Sequence, residues 1–525
     1  MTNYSTFADG NVSGSAAGAM ARPRRGPSPK AGGGQASMMS SNINLLNTIV
    51  GAGTLAMPHA MSQMGMTLGI IIIVWSGITS AFGLYLQARC ARYLDRGNSS
   101  FFALSQLTYP NAAVIFDAAI AIKCFGVGVS YLIIIGDLMP GVVRGFNPNA
   151  DQVPYLVDRH FWITAFMLVI IPLGFLRRLD SLKYTSVIAL ISIGYLIILV
   201  VYHFASDHIE NRGDVSYVAW KGPVAFLSSL PVVVFAYTCH QNMFSVINEI
   251  KDSSPGSIVG VISASIGSAA SIYVLVAITG YLTFGSDVLG NIVMMYPPSV
   301  ASTIGKAAIV VLVMFSVPLQ VHPCRASLDA VLRWRPNRNQ RRPDSPSNRS
   351  LLPTSGQTDS HGAPVVAMSD LRFAMLTTFI IVLSYTAALT VSQLDRVLAY
   401  VGATGSTSIS FILPGLFYYK ISDPDSIHHQ RLTKEDDDVD TTDDSDDTDT
   451  DDVPGGSGVL EAVSSSRSGG SGSHGAWSRM RRRWRWDLEH LEHGLLRKMA
   501  LCLAIYGMCV MVVCLILNSF FTVAH

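Results

Sequence analysis

The chain has 525 residues, of which 49% are hydrophobic and only 14% are charged. Soluble globular proteins carry about 25% charged residues, so this composition excludes an ordinary soluble protein. The 37 basic and 36 acidic residues nearly cancel, so the placement of the charges is informative and the net charge is not. The sequence contains no nucleotide-binding, metalloprotease or hydrolase motif. We therefore expect neither enzymatic activity nor a cofactor.

Eleven segments are apolar and long enough to cross a hydrocarbon layer about 30 Å thick. They are predicted at residues 42–64, 67–88, 113–138, 160–176, 184–204, 222–246, 257–283, 301–322, 371–392, 396–419 and 498–521. The sequence therefore predicts an all-α membrane protein with about 11 transmembrane helices.

The distribution of lysine and arginine predicts the orientation, because these residues favour the cytosolic side of a membrane. With a cytosolic N-terminus, thirty basic residues fall on the cytosolic side, and Lys123 and Lys306 lie within the membrane. Five basic residues fall on the opposite side: Arg144, Arg159, Arg212, Lys221 and Arg396. An odd number of helices then places the C-terminus away from the cytosol.

A ten-helix core is predicted at residues 41–420 and is flanked by polar regions. The tail at 1–40, the loop at 335–368 inside the core, and the acidic, Gly/Ser-rich segment at 421–478 lack enough apolar residues to fold, so all three are predicted to be disordered and cytosolic. Residues 479–525 combine an Arg/Trp-rich stretch, typical of a lipid interface, with the eleventh helix. The adjacent helix holds this stretch at the bilayer, which argues against nucleic-acid binding.

The first predicted helix carries residues that are poorly suited to a continuous lipid-facing helix. Val50, Gly51, Ala52, Gly53 and Thr54 lie near its middle. A break there would expose backbone N–H groups at the positive end of a half-helix, where a carboxylate can bind. The alternative interpretation is that the two glycines permit close packing between helices.

The sixth predicted helix ends its apolar run in consecutive polar or polarisable residues, which indicates a second break. The candidate binding residues here are Tyr237, Thr238, Cys239 and His240. Helices one and six are five apart, the offset expected if two five-helix repeats of opposite topology form the core. We therefore predict an inverted five-plus-five repeat with discontinuous helices 1 and 6, and a binding site between the breaks.

Lys123 lies near the bilayer centre in the third predicted helix, where a charge is costly and indicates function. That function would be a coupling or structural role of the charge, and the alternative is that the amine snorkels to the cytosolic interface. His240 and His322 could relay protons, although hydrogen bonding or packing is the simpler role. No Cys/His spacing in the chain indicates a metal site.

Four segments in this order resemble the amino acid/auxin permease superfamily, in particular its fungal vacuolar amino acid transporters and sodium-coupled neutral amino acid transporters. They are Asn47–Gly53, Phe235–Phe244, Pro323–Arg325 and Gly402–Gly415. The resemblance implies an amino acid substrate moved by alternating access. It places the substrate carboxylate at residues 51–54 and the substrate side chain near residues 237–240.

The resemblance also suggests ion-coupling residues. In sodium-coupled relatives an Asn in the first helix and a hydroxyl in the eighth hold the ion, and Asn47 and Ser316 match these positions. Met314 and Phe315 stand where hydroxyls can occur in that branch, and this departure, together with Lys123, argues against sodium.

The vacuolar branch is more similar, and it implies proton coupling through Lys123 and transport from the lumen of a vacuole or lysosome to the cytosol. The alternatives are a sodium-coupled plasma-membrane importer and an amino acid sensor that signals through its cytosolic loops. The expected partners are the amino acid and the lipid bilayer. The sequence does not specify the amino acid or any protein partner.

Overall fold

The computed structural model describes residues 36–94, 97, 99–110, 113–147, 149–176, 185–206, 213–333, 368–426, 429–430 and 474–523. Most of the segments predicted as disordered, 1–40, 335–368 and 421–478, lies outside these residues; the described parts include the start of the first helix and the start of the last helix. The described chain is helical almost throughout. Its extended pairing is a single bridge, in which Ala36 N donates to Glu249 O (2.8 Å) and Lys251 N donates to Ala36 O (2.9 Å).

The helices are numbered α1 to α16 in chain order. They are α1 (Met38–Ile49), α2 (Ala52–Met64), α3 (Met66–Ala91), α4 (Phe101–Thr108), α5 (Ala113–Phe146), α6 (Arg159–Gly174), α7 (Thr185–Ser206), α8 (Pro223–Ala236), α9 (His240–Glu249), α10 (Pro255–Phe284), α11 (Ile292–Met295), α12 (Val300–Arg333), α13 (Asp370–Thr390), α14 (Leu394–Val401), α15 (Leu413–Ile421) and α16 (His474–Val523). Two π-helical stretches, Gly402–Ser406 and Ser408–Ile412, connect α14 to α15.

Nine helical stretches among the described residues are long and apolar enough to cross a membrane. The remaining two predicted spans are also helical: α1 and α2 form a broken pair, and α6 is an apolar helix of 16 residues. The predicted all-α membrane class is thereby confirmed. The count of eleven crossings and the inverted repeat stay predictions.

The discontinuities predicted in helices 1 and 6 are confirmed. α1 ends at Ile49 and α2 begins at Ala52, while α8 ends at Ala236 and α9 begins at His240. Several outer boundaries differ from the prediction. For example, α1 begins at Met38 because Ser37 caps it by accepting a hydrogen bond from Ser40 N (3.2 Å), and a cap of this kind adds a polar turn that hydropathy does not detect.

The interior consists of two adjoining groups of buried apolar residues. The first surrounds α5 and α12, and the second surrounds α2, α8 and α10. α5 also packs against α6, α13 and α14. Glycines allow the close approach of α5 to α14 and to the π-helical stretch that follows it: a Cβ at Gly126 would overlap Val401, and a Cβ at Gly405 would lie 2.9 Å from Lys123 Cβ. These contacts place α5 against α14, which itself packs against α8.

Candidate functional site

The first break lies between α1 and α2. Val50 is extended (φ −80°, ψ 101°), and Gly51 precedes the first turn of α2, where Thr54 N donates to Gly51 O (3.0 Å). No side chain caps this end of α2, although Ala52, Gly53 and Thr54 are all buried. The first N–H groups of a helix have no partner within the helix. The break therefore presents buried amides at a positive helix end.

Gly51 and Gly53 have different roles in this segment. Gly51 lies at the break, where an added Cβ would be 4.0 Å from the hydroxyl of Tyr131. Gly53 lies inside α2, and a Cβ there would be 2.6 Å from Ala236 Cβ and 2.9 Å from Ala236 Cα. The sequence left two interpretations of these glycines open, a helix break or close helix packing. Gly51 lies at the break, and Gly53 permits close packing of α2 on α8.

The second break consists of Tyr237, Thr238 and Cys239, between α8 and α9. Two polar side chains of α3 hold its backbone: Ser80 Oγ donates to Tyr237 O (3.1 Å), and Gln87 Nε2 donates to His240 O (2.9 Å). The backbone groups freed by the break therefore have partners inside the protein, as a non-helical segment at membrane depth requires.

His240, the first residue of α9, is fully buried. Its Nε2 lies 3.2 Å from Ser80 O, so this nitrogen carries a proton and donates to the carbonyl. The other ring nitrogen of neutral histidine, Nδ1, is then an acceptor. The side chain is thus oriented by α3 while one polar atom remains available.

Tyr273 of α10 joins the two breaks. Its hydroxyl lies 2.7 Å from Ile49 O, at the end of α1, and 2.8 Å from Ala236 O, at the end of α8. Its ring packs edge-on against Tyr237, with 5.1 Å between centroids. A single buried side chain therefore holds the carbonyl ends of both half-helices together, and the sequence prediction that the breaks meet is consistent with this geometry.

Several buried polar atoms around the breaks have no hydrogen-bond partner among the described residues. They include Tyr237 Oη, His240 Nδ1, Asn47 Oδ1 and Gln87 Oε1. Such atoms are rare in folded proteins, and each costs about 1–3 kcal/mol if it stays unpaired. Tyr237 belongs to the second break and His240 follows it directly, so their unpaired atoms are candidates for contact with a polar ligand.

Lys123 of α5 is only 5% exposed and makes no hydrogen bond or ion pair within the described part of the chain. Its charge lies within electrostatic range of Cys239 and His240. The predicted coupling lysine is therefore adjacent to the second break, and its amine is not neutralised by a described carboxylate.

The two residues suggested for sodium, Asn47 and Ser316, lie on α1 and α12. Ser316 Oγ donates to Leu312 O of its own helix (2.8 Å), and no hydrogen bond links Ser316 to Asn47 or Lys123 among the described residues. Asn47 lies on α1, next to Thr48, whose hydroxyl accepts a hydrogen bond from Asn242 Nδ2 (2.9 Å). α12, which carries Ser316, packs mainly on α5.

Sequence reasoning missed the residues that hold the breaks in place, namely Tyr273, Ser80, Gln87 and Ser410. Ser410 Oγ, in the second π-helical stretch, lies 3.3 Å from Thr238 Oγ1. A signal was available for Gln87 and Tyr273, because a polar side chain inside an apolar helix needs a partner there. The identity of that partner depends on the fold.

A further polar group joins α2, α5, α6 and α14 at one end of the bundle. His59 Nδ1 donates to Val288 O (2.8 Å), and His59 Nε2 lies 3.9 Å from Asp395. Arg159 and Asp137 are 3.8 Å apart nearby. Among the described residues, no group of three or more His, Cys, Asp and Glu side chains could hold a metal ion.

Residues 34–437 match the family described as transmembrane amino acid transporter protein. The chain belongs to this family. The chain is 45% identical over 390 residues to vacuolar amino acid transporter 5 of Schizosaccharomyces pombe, covering 74% of this chain and 86% of that protein. It is 42% identical over 417 residues to vacuolar amino acid transporter 6 of Saccharomyces cerevisiae, covering 74% and 90%. The more distant sodium-coupled neutral amino acid symporter 2 of Danio rerio is 24% identical over 426 residues, covering 75% and 77%.

These matches confirm the resemblance stated from the motifs. The family and the relatives are transporters and not enzymes. The nine apolar spans agree with an integral membrane protein.

Proposed function

We propose that this protein is a secondary active transporter that moves amino acids across the vacuolar membrane by alternating access, from lumen to cytosol and coupled to protons. The observation that carries the proposal is the pair of broken helices joined through Tyr273. Membership of an amino acid transporter family supports the substrate class, and the vacuolar relatives support the membrane.

The geometry accounts for recognition of both charged groups of an amino acid. The amides of Ala52 and Gly53 lie at the uncapped positive end of α2 and suit the carboxylate. The ammonium group suits the carbonyl ends of α1 and α8, which carry negative partial charge. The substrate side chain then lies near Tyr237 and His240, whose Oη and Nδ1 atoms are unpaired among the described residues.

Proton coupling is supported by the surroundings of Lys123. Lys123 is buried beside the second break and has no described carboxylate partner, so it can stand in for a bound cation when protonated and lose that proton when desolvated. Proton flow out of an acidic lumen would drive export to the cytosol.

The test is uptake of a mixed set of labelled amino acids into proteoliposomes of the purified protein, with an imposed pH gradient compared with a sodium gradient. Accumulation driven by protons without sodium is the expected result and identifies the substrates directly. Accumulation that requires sodium would contradict proton coupling and favour the plasma-membrane importer. Binding of an amino acid without flux under either gradient would favour the sensor.

A further inference from the structure

A cavity lies outside the site between the breaks. It has a volume of about 540 Å³ and is formed by α5, the end of α13, and α14 with its π-helical continuation. None of the residues proposed for substrate or ion binding lines it. The cavity is therefore separate from the site proposed for the transported amino acid.

The length of the cavity matches one leaflet of a bilayer. Its wall on the tenth predicted span runs from Gln393 to Thr404, which is about 16 Å at 1.5 Å per helical residue. Half of a hydrocarbon core of about 30 Å is nearly the same distance. One end of the cavity thus lies at a membrane surface, at the α13–α14 turn, and the other lies near the bilayer centre.

The inner part of the cavity is apolar and borders the lipid-facing surface. Its wall includes Phe125, Val129 and Val397. Ile122, which also lines it, is 48% exposed, and Val382 and Leu383 are exposed on α13 beside it. An apolar side chain exposed at membrane depth faces acyl chains, so the cavity opens sideways into the bilayer.

The outer end of the cavity is polar and positively charged. Thr390, Ser392 and Gln393 line it together with Arg396. Arg396 makes no hydrogen bond or ion pair with any described residue, and the adjacent Asp395 lies near His59 instead (3.9 Å). A guanidinium without a counter-ion at the membrane surface is suited to a phosphate group.

We propose that this cavity binds one anionic phospholipid. Its phosphate contacts Arg396 and the hydroxyl and amide groups of the α13–α14 turn, and one acyl chain occupies the apolar part along α14. A guanidinium can bind a phosphate through two parallel N–H···O hydrogen bonds. Because the lipid would contact both α5 and α14, it would stabilise the arrangement of these two helices that the structure shows.

The test measures lipid binding to the purified full chain by native mass spectrometry, with phosphatidylglycerol, phosphatidylcholine or inorganic phosphate added. Wild type is compared with Arg396→Gln, Arg396→Lys and Ala387→Trp, which fills the cavity. Arg144→Gln is the matched control, because Arg144 lies on the same predicted side and pairs with Asp151 (3.0 Å). We expect phosphatidylglycerol binding to fall about five-fold in Arg396→Gln, to persist in Arg396→Lys and Arg144→Gln, and to be lost in Ala387→Trp.

Equal binding of phosphatidylglycerol to wild type and Arg396→Gln would overturn the proposal. So would equal retention of the two lipids by wild type, since the arginine would then not select charge. Displacement of the lipid by millimolar inorganic phosphate would assign the site to a free anion. The readout is lipid binding and not flux, so failure here is distinguishable from failure of the transport proposal.

Discussion

At the scale of single residues, the hydroxyl of Tyr273 serves two helices at once. It bonds to the last turn of α1 and the last turn of α8, at Ile49 O and Ala236 O. Carbonyls at helix ends have no partner within their helix, and lipid cannot supply one. A tyrosine in the middle of α10 therefore supports non-helical backbone in two other segments.

Removing this hydroxyl tests whether it holds the breaks. In Tyr273→Phe, Ile49 O and Ala236 O lose their shared donor, and we expect a loss of about 1–3 kcal/mol in stability and at least a tenfold fall in transport. Thermal unfolding and proteoliposome flux measure the two effects. The matched control is Tyr281→Phe. Tyr281 lies on the same helix as Tyr273, and its hydroxyl accepts a hydrogen bond from Ser216 N that the variant loses. The control is expected to lower stability while flux per folded molecule is kept, and equal flux in the two variants would refute the role of Tyr273.

The membrane region contains two lysines, and their surroundings differ. Lys306 Nζ donates to Tyr296 O (2.8 Å), whereas Lys123 has no hydrogen-bond or ion-pair partner among the described residues. If Lys123 exchanges the coupled proton, both Lys123→Gln and Lys123→Arg should abolish the dependence of flux on the pH gradient. The arginine variant is informative because arginine keeps the charge but does not release its proton.

Lys306→Gln is the matched control for Lys123, and it should retain the dependence on the pH gradient. The measurement is initial amino acid uptake into proteoliposomes at several imposed gradients. A Lys123→Gln protein with undiminished proton-driven uptake would show that the coupled proton is carried elsewhere.

Residue chemistry predicted which residues form the breaks, but not which side chains hydrogen-bond to the backbone there. Gly51 and the polar run from Tyr237 to His240 are poor helix formers in an apolar span, and both breaks lie there. Tyr273 is 224 residues from Ile49 and 37 from Ala236 in the chain. No local pattern reports such a contact, because it exists only after three helices have packed.

At the scale of helices, the packing of α2 on α8 depends on the lack of a side chain at one position. A Cβ at Gly53 would meet Ala236 Cβ at 2.6 Å, well inside the usual contact distance of about 3.5–4.0 Å between carbon atoms. The two half-helices that flank the site therefore approach more closely than any residue but glycine permits.

Gly53→Ala tests this contact. We expect it to force α2 away from α8, to destabilise the protein by about 1–3 kcal/mol through overpacking, and to reduce flux at least tenfold. The control is Gly267→Ala in α10, where an added Cβ meets nothing within 4 Å, so thermal stability should stay level or rise. Normal flux in Gly53→Ala would mean that the spacing of α2 and α8 does not limit transport.

The ends of the helices were less predictable than their existence. Hydropathy found the apolar middle of each predicted span, and the structure has a helix at every one of them. It stopped short at α5, which continues through Pro140 to Phe146, beyond the predicted end at residue 138. Those extra turns are set by contacts with loops and by caps, which the apolar pattern does not encode.

At the scale of the whole molecule, the transporter and sensor hypotheses differ in whether the predicted cytosolic loops are needed in addition to the core. A sensor would need residues 421–478 to contact its partners, whereas a transporter would not. We expect that replacing 431–473 by a Gly/Ser linker of equal length leaves flux unchanged in proteoliposomes. Loss of cellular amino acid signalling in this variant, with flux retained, would reveal a second role, and loss of flux would contradict the assignment of these residues to a spacer.

The membrane class and the family could be derived from the sequence because they depend on composition, span length and short motifs. Which spans pack against each other was harder to predict from the sequence. For example, the close packing of α5 with α14 depends on Gly126 and Gly405, which resemble any other small residues in an apolar helix. Arg396 illustrates the same limit, since only the fold shows that it lies at the mouth of a cavity.

The π-helical stretches between α14 and α15 place extra residues in the backbone of the tenth predicted span. Each π turn bonds residues five apart instead of four, and Thr407 Oγ1 donates to Gly402 O (2.6 Å) across that spacing. A change to α-helical bonding that shifts the register by one residue would rotate everything beyond it by about 100°. We expect spin labels on α9 and α15 to report such a rotation as a change in distance when substrate is added. Ser410 would then turn away from Thr238 without either helix unfolding. Rotation of this span would therefore remove its contact with the second break.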